Sequence, residues 1–190
     1  MKQICKNQDV SIRELDSDDL ASLAEYANNP KVAINLRDAF PNPYTLEDAA
    51  NFLKMAESMN PKCIFAIDYK NNYVGNISLM RGNDVYRKSA EIGYFIGEPF
   101  WNLGITTQAV KLITQWGFEN LDIVRIHTGI FSFNKASQRV LEKCGFVFEG
   151  ISKQAIFKNN HFYDEVRYGL TKQHPSDKLT IHSHTGHLPH

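Results

Sequence analysis

The chain has 190 residues, with Lys+Arg and Asp+Glu balanced at 21 each and a hydrophobic share of 43%. That length and apolar content suit one domain with a sizeable core, and the zero net charge leaves no basic field for a nucleic-acid backbone or an anionic membrane. Cys5, Cys63 and Cys144 are odd in number, far apart and without Cys-x-x-Cys spacing, which argues against a disulfide framework or a zinc site and for a reducing compartment. No segment reaches the roughly 18 consecutive apolar residues of a membrane helix, and the N-terminus lacks a cleavable leader pattern, so a soluble cytoplasmic protein is expected.

In chain order, residues 10–15 alternate apolar and polar side chains and read as a first strand. Ser17 then caps a helix with Leu20, Leu23, Ala24 and Ala27 on one face, ended by Asn28-Asn29-Pro30. A loop rich in Pro and aromatics, residues 35–44, leads to a second helix. Thr45 and Asp48 open it as a capping pair, and Leu46, Ala49, Leu53 and Ala56 point inward. Residues 63–68 and 73–80 form a hairpin around Lys70-Asn71-Asn72, since Asn tolerates positive φ in tight turns. Residues 89–96 make the next strand.

A helix follows from about Thr106 to Asn120, with Ile105, Ala109, Ile113 and Trp116 at helical spacing. Residues 123–131 are rich in β-branched side chains and read as a buried strand. The last helix is short, with Val140 and Cys144 inward and Gly145 as its left-handed cap. Residues 146–157 and 161–170 close the chain as a long hairpin around Lys158-Asn159-Asn160. Residues 171–190 hold five of the seven His with little periodicity and read as an unstructured tail rather than a metal site. The domain therefore spans residues 1–170, with no internal repeat.

The densest chemistry lies between Glu91 and Val110, where a strand runs through a short loop into an amphipathic helix. The first N–H groups of a helix have no intrahelical partner and face the positive end of the macrodipole, so such a junction holds a phosphate without Lys or Arg. Gly104 lets the backbone approach that phosphate closely. No Gly-x-x-x-x-Gly-Lys-Ser/Thr is present, and the glycine fingerprint and βαβ order of a dinucleotide-binding fold are missing.

Three segments carry a resemblance: Glu91-Ile92-Gly93-Tyr94, Phe100-Trp101-Asn102-Leu103-Gly104-Ile105-Thr106-Thr107, and the run from Asn134 through Ser137, Cys144 and Gly145 to Phe146. From this junction to about Leu170 the chain resembles the acyl-CoA-dependent N-acetyltransferases of the GNAT superfamily, most closely the RimJ/RimL-like branch. The family's pyrophosphate signature, Gln/Arg-x-x-Gly-x-Gly/Ala, reads Trp101-Asn102-Leu103-Gly104-Ile105-Thr106 here. Only its central Gly is kept, and Thr106 stands where a smaller residue is usual. The resemblance implies the α+β fold of acyl-CoA N-acyltransferases, a mixed and mostly antiparallel sheet flanked by helices in the order β-α-α-β-β-β-α-β-α-β-β.

The resemblance further implies acetyl-CoA as cosubstrate, no metal, and direct acetyl transfer to a primary amine, on a protein N-terminus or a small molecule. It makes the chain a monomer or homodimer. Backbone groups of Tyr94 and Ile96 would bind the pantetheine arm, amides of Leu103, Gly104, Ile105, Thr106 and Thr107 the pyrophosphate, and Asn134 would both cap its helix and contact the arm. Glu91 would deprotonate the acceptor, and Ser137 would donate to the departing sulfur. The family's usual Tyr acid falls at Leu141, so Ser137, water or Tyr168 must serve. Cys144 reads as a packed cysteine and His127 as a core or face histidine. Arg37, Asp38 and Tyr44 are polar candidates on the acceptor side, beside the hairpin at residues 153–163. Two other readings remain: a polyamine or other small-amine acetyltransferase, and a non-catalytic acyl-CoA-binding module.

Overall fold

The computed structural model describes residues 2–172; the His-rich segment from residue 173 onward lies outside them. The strands are β1 (Gln3–Asn7), β2 (Val10–Glu14), β3 (Ile64–Tyr69), β4 (Asn72–Arg81), β5 (Ser89–Ile96), β6 (Arg125–Phe131), β7 (Val147–Lys158) and β8 (His161–Thr171). The helices are α1 (Leu20–Ala27), α2 (Pro30–Ala33), α3 (Leu46–Ser58), α4 (Ile105–Asn120) and α5 (Lys135–Lys143). The strands form one sheet in the order β1-β2-β3-β4-β5-β6-β8-β7. Every pairing is antiparallel except β5 with β6.

Helices cover both faces, as the α+β expectation requires. One core joins Ile92, Ile126 and Leu141 to Ala109 and Ile113 of α4, and a second places Leu23 and Ala27 of α1 with Ala49 and Leu53 of α3 over Ala66 and Tyr73. Both Asn-containing turns have the expected backbone: Lys70 and Asn71, then Asn159 and Asn160, adopt positive φ. Thr45 caps α3 reciprocally with Asp48.

Four local expectations need correction. β1 precedes the strand expected at residues 10–15. It is a polar edge strand whose only half-buried side chains are Ile4 and Cys5, so it carries almost no alternation. Asp16, not Ser17, accepts the capping hydrogen bond and shares a capping box with Asp19. Pro30 starts α2 rather than only ending α1, since a missing N–H costs nothing at a helix's first position. Leu46, the first residue of α3, is 59% exposed, because the buried stripe begins one turn later at Ala49. On α5, Val140 and Cys144 pack half-buried against the core as expected, beside the buried Gln138 and Leu141.

Candidate active site

The strand-to-helix junction has the predicted form. Gly104 is the N-cap of α4 at φ 75°, and no side chain caps the helix. The helix ladder begins with Gln108 N–H donating to the Gly104 carbonyl at 3.2 Å, so the amides of Ile105, Thr106 and Thr107 precede it without a side-chain partner. Buried Ile105 anchors the turn in the core, Leu103 is 56% exposed on the loop, and the half-buried Thr106 and Thr107 line a groove. A Cβ built on Gly104 would meet nothing within 4 Å, so its open side faces space rather than protein. Trp101 ties the loop to the sheet: its Nε1–H donates to the Ile96 carbonyl at 2.9 Å.

Beside this junction the sheet opens. β5 pairs with β6 only over residues 89–91 and 125–127, beyond which the two strands part, while β6 stays paired with β8 along its whole length on its other edge. Backbone groups alternate sides along a strand, so with Gly97 N–H on Val74 O of β4, the N–H groups of Tyr94 and Ile96 point the other way, into the gap. Those are the two residues that the resemblance assigns to an extended ligand arm. A cavity of about 1190 Å³ runs through this gap, from Gly104 and Thr106 past Asn134 and Ser137 to Glu91 and the loop at residues 35–44.

Asn134 caps α5 through Oδ1, which accepts from Ser137 N–H at 3.1 Å. Ser137 Oγ lies 2.8 Å from Tyr94 Oη, a contact the sequence does not foreshadow because only the backbone of Tyr94 was assigned there. Burial pushes the Tyr94 phenol well above its ordinary pKa, so it stays protonated and able to donate. Leu141, in the usual place of the family's Tyr acid, is fully buried in the core. Tyr168 points elsewhere: its hydroxyl donates to Glu142 Oε1 at 2.8 Å, and burial, then that bond, raises it to about 12. Burial pushes the Cys144 thiol up to about 11, and it donates to Thr107 O at 3.4 Å, so it is no thiolate at neutral pH.

The opposite mouth of the gap is a polar pocket of about 230 Å³. Its floor carries Glu91, Glu149 and Glu165, and each is ion-paired: Glu91 with Arg37, Glu149 with Arg125, and Glu165 with Arg167. Glycines make this floor flat. A Cβ on Gly129 would sit 2.3 Å from Glu165 Cδ, and one on Gly169 would sit 2.2 Å from Glu149 Oε1, so the carboxylates lie directly on the strands. His127 stands opposite Glu91 in the parallel register, and burial followed by Arg125 lowers its pKa, leaving a neutral imidazole at pH 7.

The two walls predicted for the acceptor side are fastened together. Lys158, buried at the end of β7, donates to Leu36 O at 2.7 Å and to Asp38 Oδ1 at 2.8 Å. Of the three polar candidates in the loop, Arg37 reaches Glu91 and Asp38 meets Lys158, whereas Tyr44 is buried under the second core.

Residues 9–147 match the family model described as an acetyltransferase (GNAT) domain. The protein named "Putative ribosomal N-acetyltransferase YdaF" of Bacillus subtilis (strain 168) is 30% identical over 184 residues, covering 89% of this chain and 95% of its own length. Matches to three other B. subtilis N-acetyltransferases span only 48% to 60% of those proteins. Among solved structures, a GNAT-family acetyltransferase from Bacillus anthracis superposes with a TM-score of 0.77 at 26% identity, over 87% of this chain and 96% of that one. The microcin C7 self-immunity acetyltransferase MccE, solved with acetyl-CoA and AMP, does so at 0.74 and 26%, over 87% and 94%. The chain belongs to the GNAT family of acetyltransferases, enzymes that move an acetyl group onto an amine.

Proposed function

We propose that this chain is an acetyl-CoA-dependent N-acetyltransferase that passes the acetyl group directly to a primary amine within one ternary complex. The observation that carries this reading is the gap between β5 and β6, which joins an uncapped helix N-terminus on one side to the Glu91 pocket on the other. The site fits coenzyme A: an open Gly104 and unpartnered amides suit a pyrophosphate, and the N–H groups of Tyr94 and Ile96 suit an extended amide arm. The MccE structure with acetyl-CoA supports the same cosubstrate. Bound there, acetyl-CoA supplies an activated thioester.

The residues divide the remaining work. Glu91 accepts the proton that the acceptor ammonium must lose before its nitrogen bonds the acetyl carbon. Ser137, oriented by Asn134 and Tyr94, donates to sulfur as the C–S bond breaks and the electron pair leaves on the thiol group. The catalytic unit spans residues 1–170. A cytoplasmic setting fits three unpaired cysteines and the lack, among the described residues, of any helix long and apolar enough to cross a membrane.

A thiol-release assay with acetyl-CoA and a panel of primary amines tests the reading. In that assay Ser137→Ala should slow turnover roughly tenfold and weaken binding less, because a donor to developing thiolate acts mainly in the transition state. Cys144→Ala should keep most of the activity, and mass spectrometry after incubation with acetyl-CoA alone should find Cys144 unmodified. A kinetically competent Cys144 adduct with an inactive alanine variant would replace direct transfer by a covalent route.

Lys158→Met keeps the apolar stem but removes the ammonium that ties the loop to the hairpin. It should raise the acceptor KM roughly tenfold while coenzyme A affinity stays within about twofold, since only the acceptor walls lose charge-assisted bonds. Initial-rate kinetics beside calorimetry separate the two, and an unchanged acceptor KM would show that the walls hold without the latch.

A further inference from the structure

Three carboxylates on the floor of a pocket ordinarily read as a seat for a polycation, yet here each has an arginine of its own. The three arginines differ in how fully they are committed. Arg125 is held by both oxygens of Glu149, and Arg167 by Glu165 at 3.1 Å and by Ser152 Oγ, to which its Nε donates at 2.9 Å. The Arg37 side chain makes one hydrogen bond among the described residues, from Nη2 to Glu91 Oε1, and is 73% exposed at the pocket mouth. A guanidinium has five N–H donors, so most of its fork is free. Its backbone is not free, because Lys158 fastens the residues on both sides of it, Leu36 and Asp38.

We propose that Arg37 selects the acceptor, and that the preferred acceptor is a primary amine carrying a carboxylate a few bonds from its nitrogen. The inference rests on the transferase reading above. In the free enzyme Arg37 covers Glu91. An incoming carboxylate takes the guanidinium fork, for which it is the matched partner, and Glu91 is released to receive the ammonium and then its proton. The exchange is easy because an exposed, solvent-screened pair is weak. A neutral amine must break the Arg37–Glu91 pair and offers nothing in return. A polyamine is worse placed: it brings further positive charge against Arg37 and finds no unpaired carboxylate on the floor.

Two sources carry this chemistry, the amino terminus of an acidic peptide and a free amino acid, and matched pairs separate them. Thiol release would be measured for a tripeptide amide beginning with Asp against its Asn counterpart, for alanine against alanine amide, and for spermidine. Wild-type enzyme should prefer the anionic member of at least one pair by about tenfold or more in kcat/KM, and the pair that does so names the source. Arg37→Gln should bring that ratio close to one, and Arg37→Glu should turn the preference toward spermidine, a reversal that mere loosening of the loop does not produce. Melting curves and coenzyme A calorimetry would show that both variants are folded. Ratios near one in wild type, or a ratio that survives Arg37→Gln, overturn the inference and leave the transferase reading standing. Release with none of the amines, although coenzyme A binds, overturns both.

Discussion

Glu91→Gln should lower the turnover rate by about 10²–10⁴, the range expected for losing a positioned proton acceptor. The substitution keeps side-chain shape and an oxygen to accept from Arg37, so the ion-pair partner is retained as a hydrogen-bond partner and only the basic carboxylate is lost. Coenzyme A affinity should change less than about twofold, because Tyr94, Ile96 and the α4 amides are untouched. Thiol-release kinetics at saturating amine, with calorimetry for coenzyme A, give the two numbers separately. A loss of less than about threefold would move the base elsewhere. The structure names the substitute: His127 lies across the parallel ladder from Glu91 and is neutral at pH 7, so its imidazole is available to take a proton. Glu91→Gln combined with His127→Gln would then show the missing factor.

The parts of the fold that sequence reveals are those with local causes. Thr45 and Asp48 are three residues apart and cap α3 as their spacing implies, and the two Asn-containing turns take the backbone that Asn tolerates. The same holds for the uncapped helix N-terminus at Gly104, because the strand, loop and helix that make it are contiguous from Glu91 to Val110. Periodicity fails where burial is weak. β1 is a polar edge strand with little alternation, and Leu46 sits at the right spacing but one turn before the core begins.

The polar pocket around Glu91 is legible only in pieces, for a different reason. Arg37 and Glu91 are 54 residues apart, Lys158 and Asp38 are 120 apart, and Tyr94 meets Ser137 across 43 residues. Each residue type was visible, but no spacing rule links positions joined only by the sheet order. The gap between β5 and β6 is also invisible in sequence, since nothing in the side-chain pattern says where a ladder stops. One signal does lie in the sequence: Gly129 and Gly169 sit inside strands, where glycine marks a close approach, and both lie under carboxylates of the pocket floor.

Gly104→Val should weaken coenzyme A binding by at least about tenfold while the protein remains folded. Two separate effects point the same way. At φ 75° a β-branched residue is strained, at a cost of roughly 1–2 kcal/mol, so the loop is pushed away from the geometry that leaves the α4 amides free. Beyond that, the space where the new Cβ would stand contains no protein atom within 4 Å, so the branched side chain projects into the open ground that the phosphates need. That same openness predicts survival of the fold, because the new side chain clashes with nothing and Ile105 remains anchored in the core. Gly104→Ala divides the contributions: it imposes most of the backbone strain with much less bulk, so its affinity should fall between wild type and valine. Calorimetry with coenzyme A and melting curves for the three proteins provide the comparison. Full affinity in the valine variant, with an unchanged melting temperature, would place the pyrophosphate somewhere other than the α4 N-terminus.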